Sequence, residues 1–247
     1  MSQPQSDFLI NGLPIKLSEI PSEDAILAAG KEILAASDNW KPGKTFQKVI
    51  KTSTYSCPSP KGKSGGTKWA CRVSEHTREE GTFDEFWSGV GTNKAENEIQ
   101  FIPDLKKVKL VKSLSPNAEV WTLYYELAPV MSPRVFTVLQ VKQLSEIDSR
   151  REGIIVSIPI DLSSPEDQDL AALEEKGVKG RYASVERILG LPGDKVEWRM
   201  AASSSAGGLI PQVLTDFVMT GAVSRDVPLY LRWMQTNKGR AENAQSE

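Results

Sequence analysis

The stretch Lys195–Phe217, KVEWRMAASSSAGGLIPQVLTDF, changes its period in mid-course. Val196, Trp198 and Met200 alternate with Glu197 and Arg199, the period of two that lays apolar side chains on one side of a strand. Strict alternation sends Glu197 and Arg199 toward water. After Gly207 and Gly208 the apolar residues Leu209, Ile210, Val213, Leu214, Phe217 and Val218 return at helical spacing, with Pro211 tolerated in a first turn. The two glycines let the strand turn sharply into that helix. Gly221 and Pro228 interrupt the stripe, and Tyr230, Leu231 and Met234 resume it. The chain therefore ends in one long bent helix or in two helices in series.

Working back toward the amino terminus, Arg181–Leu189 reads as the strand before it, joined by the turn Leu191-Pro-Gly-Asp194. Four more strands are expected at Val108–Lys112, Glu119–Leu127, Val135–Leu144 and Gly153–Ile160. Thr82–Glu85, TFDE, fits a capping box that opens a helix carrying Phe83, Phe86, Trp87 and Val90. Lys68–His76 alternates as a half-wet strand, and the β-branched stretch Thr45–Ser56 reads as one strand. A first helix runs from about Ser22, a suitable N-cap, to Ala36, with acidic Glu23 and Asp24 at its positive end. Pro58–Thr67 and Ser163–Gly177 read as loops, the second with room for a helical turn. Met1–Asp7 and the polar tail 236–247 read as disordered, leaving a single domain over residues 1–235.

The 247 residues are 39% hydrophobic and 25% charged, enough to bury a core without disulfide staples. A net charge of −2 supplies no global positive field for a nucleic acid. Cys57, Cys71 and the single histidine, His76, match no zinc spacing, and no metal or cofactor is expected. The polar start has no basic segment followed by an apolar run, no Asn-x-Ser/Thr acceptor occurs, and no window approaches a membrane span, so the cytoplasm is the expected location. Nucleotide motifs fail. KGKSGG lacks the first glycine of a phosphate loop, GVGTNK lacks a third glycine, and SSSAGG is no nucleophile elbow.

A helix, strands, a second helix, a run of antiparallel strands and a terminal amphipathic helix make an α+β order. That order resembles the START-like superfamily of helix-grip proteins, in which a curved antiparallel sheet wraps around a long C-terminal helix. The strings SPRVFTVLQ (Ser132–Gln140), RYASVERI (Arg181–Ile188) and the opening stretch carry the likeness, which is strongest over Met131–Gln235 and weakest over residues 1–105. More narrowly, the chain resembles an uncharacterised fungal START-like family. The resemblance implies a cavity between sheet and helix that holds a lipid, sterol or polyketide-like molecule.

Within such a cavity the expected ligand-binding residues are Trp69, Trp121, Tyr125 and Trp198 from the strands and Phe217 and Met219 from the last helix. Arg134 and Glu186 are the polar candidates, and either one, if buried, demands a partner or a polar ligand. His76 stands at a strand end and is expected to face solvent. No catalytic set is legible. The leading expectation is binding, and transfer, of a hydrophobic small molecule. The alternatives are a cyclase- or isomerase-type enzyme of secondary metabolism, working through Tyr125, Glu186, Arg134 or His76, and a regulatory module. In the last case the lysines of Pro58–Lys68 or Lys106–Lys112 would make transient contact with membrane headgroups or acidic partners. Neither the ligand nor the oligomeric state can be read from these residues.

Overall fold

A computed structural model describes residues 8–46, 52–56, 68–127, 131–205, 207 and 212–245, the last of these with side chains over 221–237. In chain order the elements are β1 (Ile15–Lys16), α1 (Glu23–Ser37), β2 (Lys41–Phe46), β3 (Thr52–Ser56), β4 (Ala70–His76), α2 (Phe83–Phe86), α3 (Lys94–Phe101), β5 (Leu105–Ser115) and β6 (Ala118–Tyr125). These are followed by β7 (Arg134–Ile147), β8 (Arg150–Asp161), α4 (Gln168–Ala171), β9 (Val178–Lys179), β10 (Arg181–Leu191), β11 (Lys195–Ser205) and α5 (Gln212–Gln245). One sheet runs β2-β3-β4-β11-β10-β8-β7-β6-β5, antiparallel at every step, with β1 and β9 added in parallel to β8 and β7.

Helices cover both faces of this sheet. On one face, α1 buries Ile26, Leu27 and Leu34 against Val120, Leu139, Val156 and Val185. Ser22 caps α1 by accepting the Ala25 N–H at 3.3 Å. On the other face, α5 lays Val227, Tyr230, Leu231 and Met234 over Phe86, Ile155, Ile188 and Trp198. Tyr230 is the hub there. Its ring lies 5.2 Å from both Phe86 and Trp198 and 5.5 Å from Phe101, and its hydroxyl donates to the Glu85 carbonyl at 2.8 Å. Thr82 and Glu85 complete the capping box that starts α2. A π-helical turn, Trp87–Gly91, then sets Trp87 flat on Gly153, where a Cβ would meet the indole at 2.2 Å.

The α+β helix-grip architecture is the one expected from the sequence. Several details differ. The stretch Thr45–Ser56 is not one strand: β2 begins at Lys41, ends at Phe46 and pairs antiparallel with β3. Pro42 and Gly43 obscure that start, yet β2 ends the sheet order, where a strand tolerates proline. The helix α3 was not anticipated, because its charged sequence KAENEIQF carries little apolar period. The terminal helix is a single element that passes through Pro228 and continues to Gln245, beyond Thr236.

Glu197 and Arg199 do not face water. The end of α1 covers them, with Arg199 donating to Ser37 Oγ at 3.0 Å and pairing with Asp38, and Glu197 accepting from Arg187 at 2.6 Å. His76 is likewise buried, because α2 folds Phe86 over it at 4.7 Å between ring centroids.

Gly207 adopts φ +66, and a Cβ there would meet the Lys179 carbonyl at 2.3 Å, so this turn requires glycine. Replacing Tyr230 with alanine should cost roughly 3–5 kcal/mol, because it empties the centre of the aromatic cluster and removes a hydrogen bond. A fall in the urea midpoint, with the slope of the transition unchanged, would register this.

Candidate functional site

The α5 face of the sheet is aromatic toward one end and charged toward the middle. Alternation places Arg72, Ser74 and His76 of β4 on this face with Tyr182, Ser184, Glu186 and Ile188 of β10 and Trp198 and Met200 of β11. From above, α3 adds Lys94 and Glu98, which are a turn apart and so share a side of the helix.

Glu186, 1% exposed, is the centre of this group. Its Oε1 lies 2.7 Å from Lys94 Nζ, and its Oε2 accepts from Trp198 Nε1 at 3.1 Å and lies 3.9 Å from Arg72. Lys94 Nζ also donates to Glu98 at 2.5 Å. Burial alone would raise the Glu186 carboxyl, but Lys94 and Arg72 outweigh it and hold the group ionised. Burial likewise opposes the Lys94 charge, and Glu186 and Glu98 restore it. For Glu98 burial prevails and its carboxyl is raised.

Asp226 of α5 completes the group. Burial, and then the neighbouring Glu98 and Glu186, push its carboxyl up to about 7, with Arg72 and Lys94 opposing. Three carboxyls thus share two cations, and two of the three, Glu98 and Asp226, are raised.

Arg72 is the least satisfied member. It is 0% exposed, stacks 3.8 Å from the Trp198 ring centroid, and reaches the Trp198 carbonyl at 3.5 Å and Met200 Sδ at 3.8 Å. Its Nε has no hydrogen-bond partner among the described residues. A buried guanidinium whose contacts are all this long has been desolvated without full compensation. Around it, Tyr125, Tyr182, Met200, Glu98 and Asp226 are only half-buried, although the first three lie on this same face.

The residues anticipated from sequence divide by face. Trp121, Tyr125, Glu186 and Trp198 all lie on the α5 side, Trp121 and Tyr125 packing with Phe136 and Val138. Trp69 does not join them; it packs with the cluster under α1, because residues 69 and 71 point opposite to 70 and 72. Arg134 opens β7, buried, and donates to the Ser132 carbonyl beside β9. Phe217 and Met219 belong to α5, but their side chains lie outside the described residues, as does Cys57.

Arg72, Lys94, Glu98 and Asp226 were missed as site residues. Arg72 sits in a strand whose apolar members point the other way, and Lys94 and Glu98 look like an ordinary surface pair.

His76 forms a short polar chain, its Nε2 2.8 Å from Ser74 Oγ and its Nδ1 3.7 Å from Glu80. Burial and then Arg72 lower the imidazole to about 4, so it is neutral at physiological pH. Ser74 and His76 are each 1% exposed, with Phe86 against the imidazole and Trp198 beside Ser74 on the neighbouring strand. Among the described residues, no cluster of His, Cys, Asp and Glu could hold a metal ion, and no helix is long and apolar enough to cross a membrane. A groove of about 330 Å³ between α3 and α5, lined by Gln100, Phe101, Leu229 and Trp233, contains none of the charged group.

The model of a family described as "Protein of unknown function (DUF3074)" matches residues 69–234. No curated protein sequence is significantly similar. Among solved structures, human STARD10 superposes with a TM-score of 0.67 at 9% identity, over 91% of this chain and 84% of that one. Human StAR-related lipid transfer protein 5 gives 0.65 at 17% identity, over 87% and 96%. A STAR-related lipid transfer protein from Xanthomonas axonopodis gives 0.59 at 15%, over 80% and 99%. At these identities the likeness establishes the fold.

Two outcomes follow from the buried charges. Lys94→Met strands Glu186 and Glu98 and should cost about 3–5 kcal/mol in chemical denaturation. Asp226, ordinarily near 3.8, binds a proton more tightly when folded, so its contribution to stability declines as pH rises from about 4 to about 7. Asp226→Asn should therefore gain stability over the parent across that window and hold a constant advantage above it. His76 contributes the opposite slope below its ordinary 6.5, but equally in both proteins, so urea titrations of the pair at pH 5 and pH 8 isolate Asp226.

Proposed function

This chain belongs to the family described as "Protein of unknown function (DUF3074)" and has the START-like helix-grip fold, and on that premise we propose that it binds a hydrophobic small molecule between the sheet and α5. The observation that carries the reading is Arg72. Its guanidinium is wholly buried on the face that α5 covers, yet among the described residues every acceptor it reaches stands at 3.5 Å or more and its Nε meets none. A ligand oxygen at that position supplies the missing hydrogen bond, while the rings of Tyr125, Trp121 and Phe136 offer apolar surface further along the same face of the sheet. The fold supports the same reading, since structures sharing it include proteins titled lipid transfer proteins. Transfer between membranes extends the reading, with α5 as the element that moves, because it is the cover of this face.

The charges also bear on what kind of molecule enters. Lys94 is committed to Glu186 and Glu98, and the third carboxyl, Asp226, is pushed up to about 7 by burial and then by Glu98 and Glu186. An anionic head group would meet three carboxyl groups; a neutral acceptor meets Arg72 without that repulsion.

Native mass spectrometry of gently purified protein, followed by denaturing extraction, should reveal a stoichiometric hydrophobic adduct released unchanged. An empty protein that also takes up no lipid or sterol would overturn the proposal. Arg72→Met, which leaves Glu186 paired with Lys94, should weaken ligand binding by roughly 10- to 100-fold, the value of one charge-assisted hydrogen bond. Circular dichroism would verify that the variant remains folded.

A further inference from the structure

Gln140, Ser157 and Ser184 are successive cross-strand partners on β7, β8 and β10. They form a row on the α5 face, because Gln140 shares its side of β7 with Phe136 and Val138, and Ser184 shares its side of β10 with Glu186 and Ile188. Their exposures are 8%, 0% and 1%. Ser157 lies within reach of the Tyr182 hydroxyl, but Gln140 Nε2 and Ser184 Oγ have no hydrogen-bond partner among the described residues. Neighbouring strands are about 4.8 Å apart, so these two groups stand roughly 10 Å from one another across the sheet. Arg72 extends the series. It lies two strands beyond β10, in the adjacent row Glu186–Met200–Arg72, with its Nε equally unpaired.

Among the described residues, unpaired polar atoms also occur on the α1 face, at Thr122, Ser203, Ser145, Glu152 and Arg187. The cross-strand partner of Thr122 is Thr137, whose hydroxyl already donates to Glu174, and that of Ser203 is Ala183. On the α1 face the row Ser145–Glu152 ends at Leu189 on the next strand, whereas on the α5 face the row crosses three strands. Each unpaired group is desolvated at a cost that alanine or leucine in its place would avoid.

We infer that the molecule held on this face is a rigid, oxygenated, multi-ring hydrophobe whose polar atoms are spread along its length, rather than an acyl-chain lipid with one head group. The inference rests on the binding function proposed above and adds the chemical class. A lipid with a single head group can satisfy Arg72 but presents only methylenes to Ser184 and Gln140, which stay unpaired. A fused-ring molecule with oxygen at both ends reaches Ser184 with one and Gln140 with the other, and its rigidity spares the entropy of ordering a flexible chain.

The test is a tryptophan-fluorescence titration of the full chain, read through Trp121 and Trp198, with testosterone as the doubly oxygenated ring probe and a short-chain phosphatidylcholine as the acyl probe. Testosterone should bind the more tightly. Ser184→Ala and Gln140→Leu should each weaken testosterone roughly tenfold, leave phosphatidylcholine unchanged, and leave the ligand-free melting temperature unchanged or higher. Tighter binding of phosphatidylcholine, with neither variant affecting either probe, would refute the ligand class while leaving the binding function standing. A lower ligand-free melting temperature in Ser184→Ala would also refute it, because the hydroxyl would then serve the protein itself. If neither probe binds, the co-purified adduct decides: oxygens at both ends of a ring system support the inference, and a single head group on acyl chains overturns it. No adduct and no binding would overturn the binding function as well.

Discussion

Glu186 carries a full negative charge on a central strand of the sheet at 1% exposure, and much of the α5 side is arranged around that charge. Lys94 reaches it from α3, Trp198 donates to it from the neighbouring strand, and Arg72 approaches from one strand further on. The Lys94 contact is the tightest and ties α3 to the sheet. Arg72 is left over, too far from Glu186 for a good hydrogen bond and stacked on Trp198 instead. A sheet face that had only to be covered could be apolar throughout, and replacing buried ion pairs with packed hydrocarbon is often neutral or stabilising. The charges on this face are therefore better understood through what they do than through stability.

The two ends of α5 have different surroundings. From Val227 to Met234 the helix seals a dense aromatic cluster in which Tyr230 touches Phe86, Phe101 and Trp198. One turn earlier, Asp226 looks onto the charged group, and beyond it the helix faces the small residues Ala70 and Ala202 through Val223. The aromatic end anchors α5 by ordinary packing. At Asp226 the same helix meets charge instead, facing Glu98, Glu186, Arg72 and Lys94.

Much of this order is legible in the residues themselves. Ser22, the Thr82–Glu85 capping box and the alternation of Val196, Trp198 and Met200 each act through neighbours a few positions away, and each element formed where those signals placed it. The signals failed where a local pattern was weak or where a distant element intervened. The eight residues of α3 contain too few apolar positions to show a period, and Pro42 and Gly43 hid the beginning of β2. Trp69 was placed with Trp121 and Trp198 because all are apolar-face residues of strands, yet alternation within one strand cannot say which side of the sheet its apolar face joins.

The fold class, the long strands from β5 to β11 and the helix that follows them were legible in the residues, because propensity, capping and period are properties of close neighbours. Only the tertiary structure decided which charges are buried. Glu197 and Arg199 alternate as water-facing residues should, and the end of α1 arrives to cover them. Lys94 and Glu98 read as a solvated pair until α3 folds onto Glu186. Burial belongs to whatever packs on top, and residues far apart in the chain meet there for reasons that no local window contains.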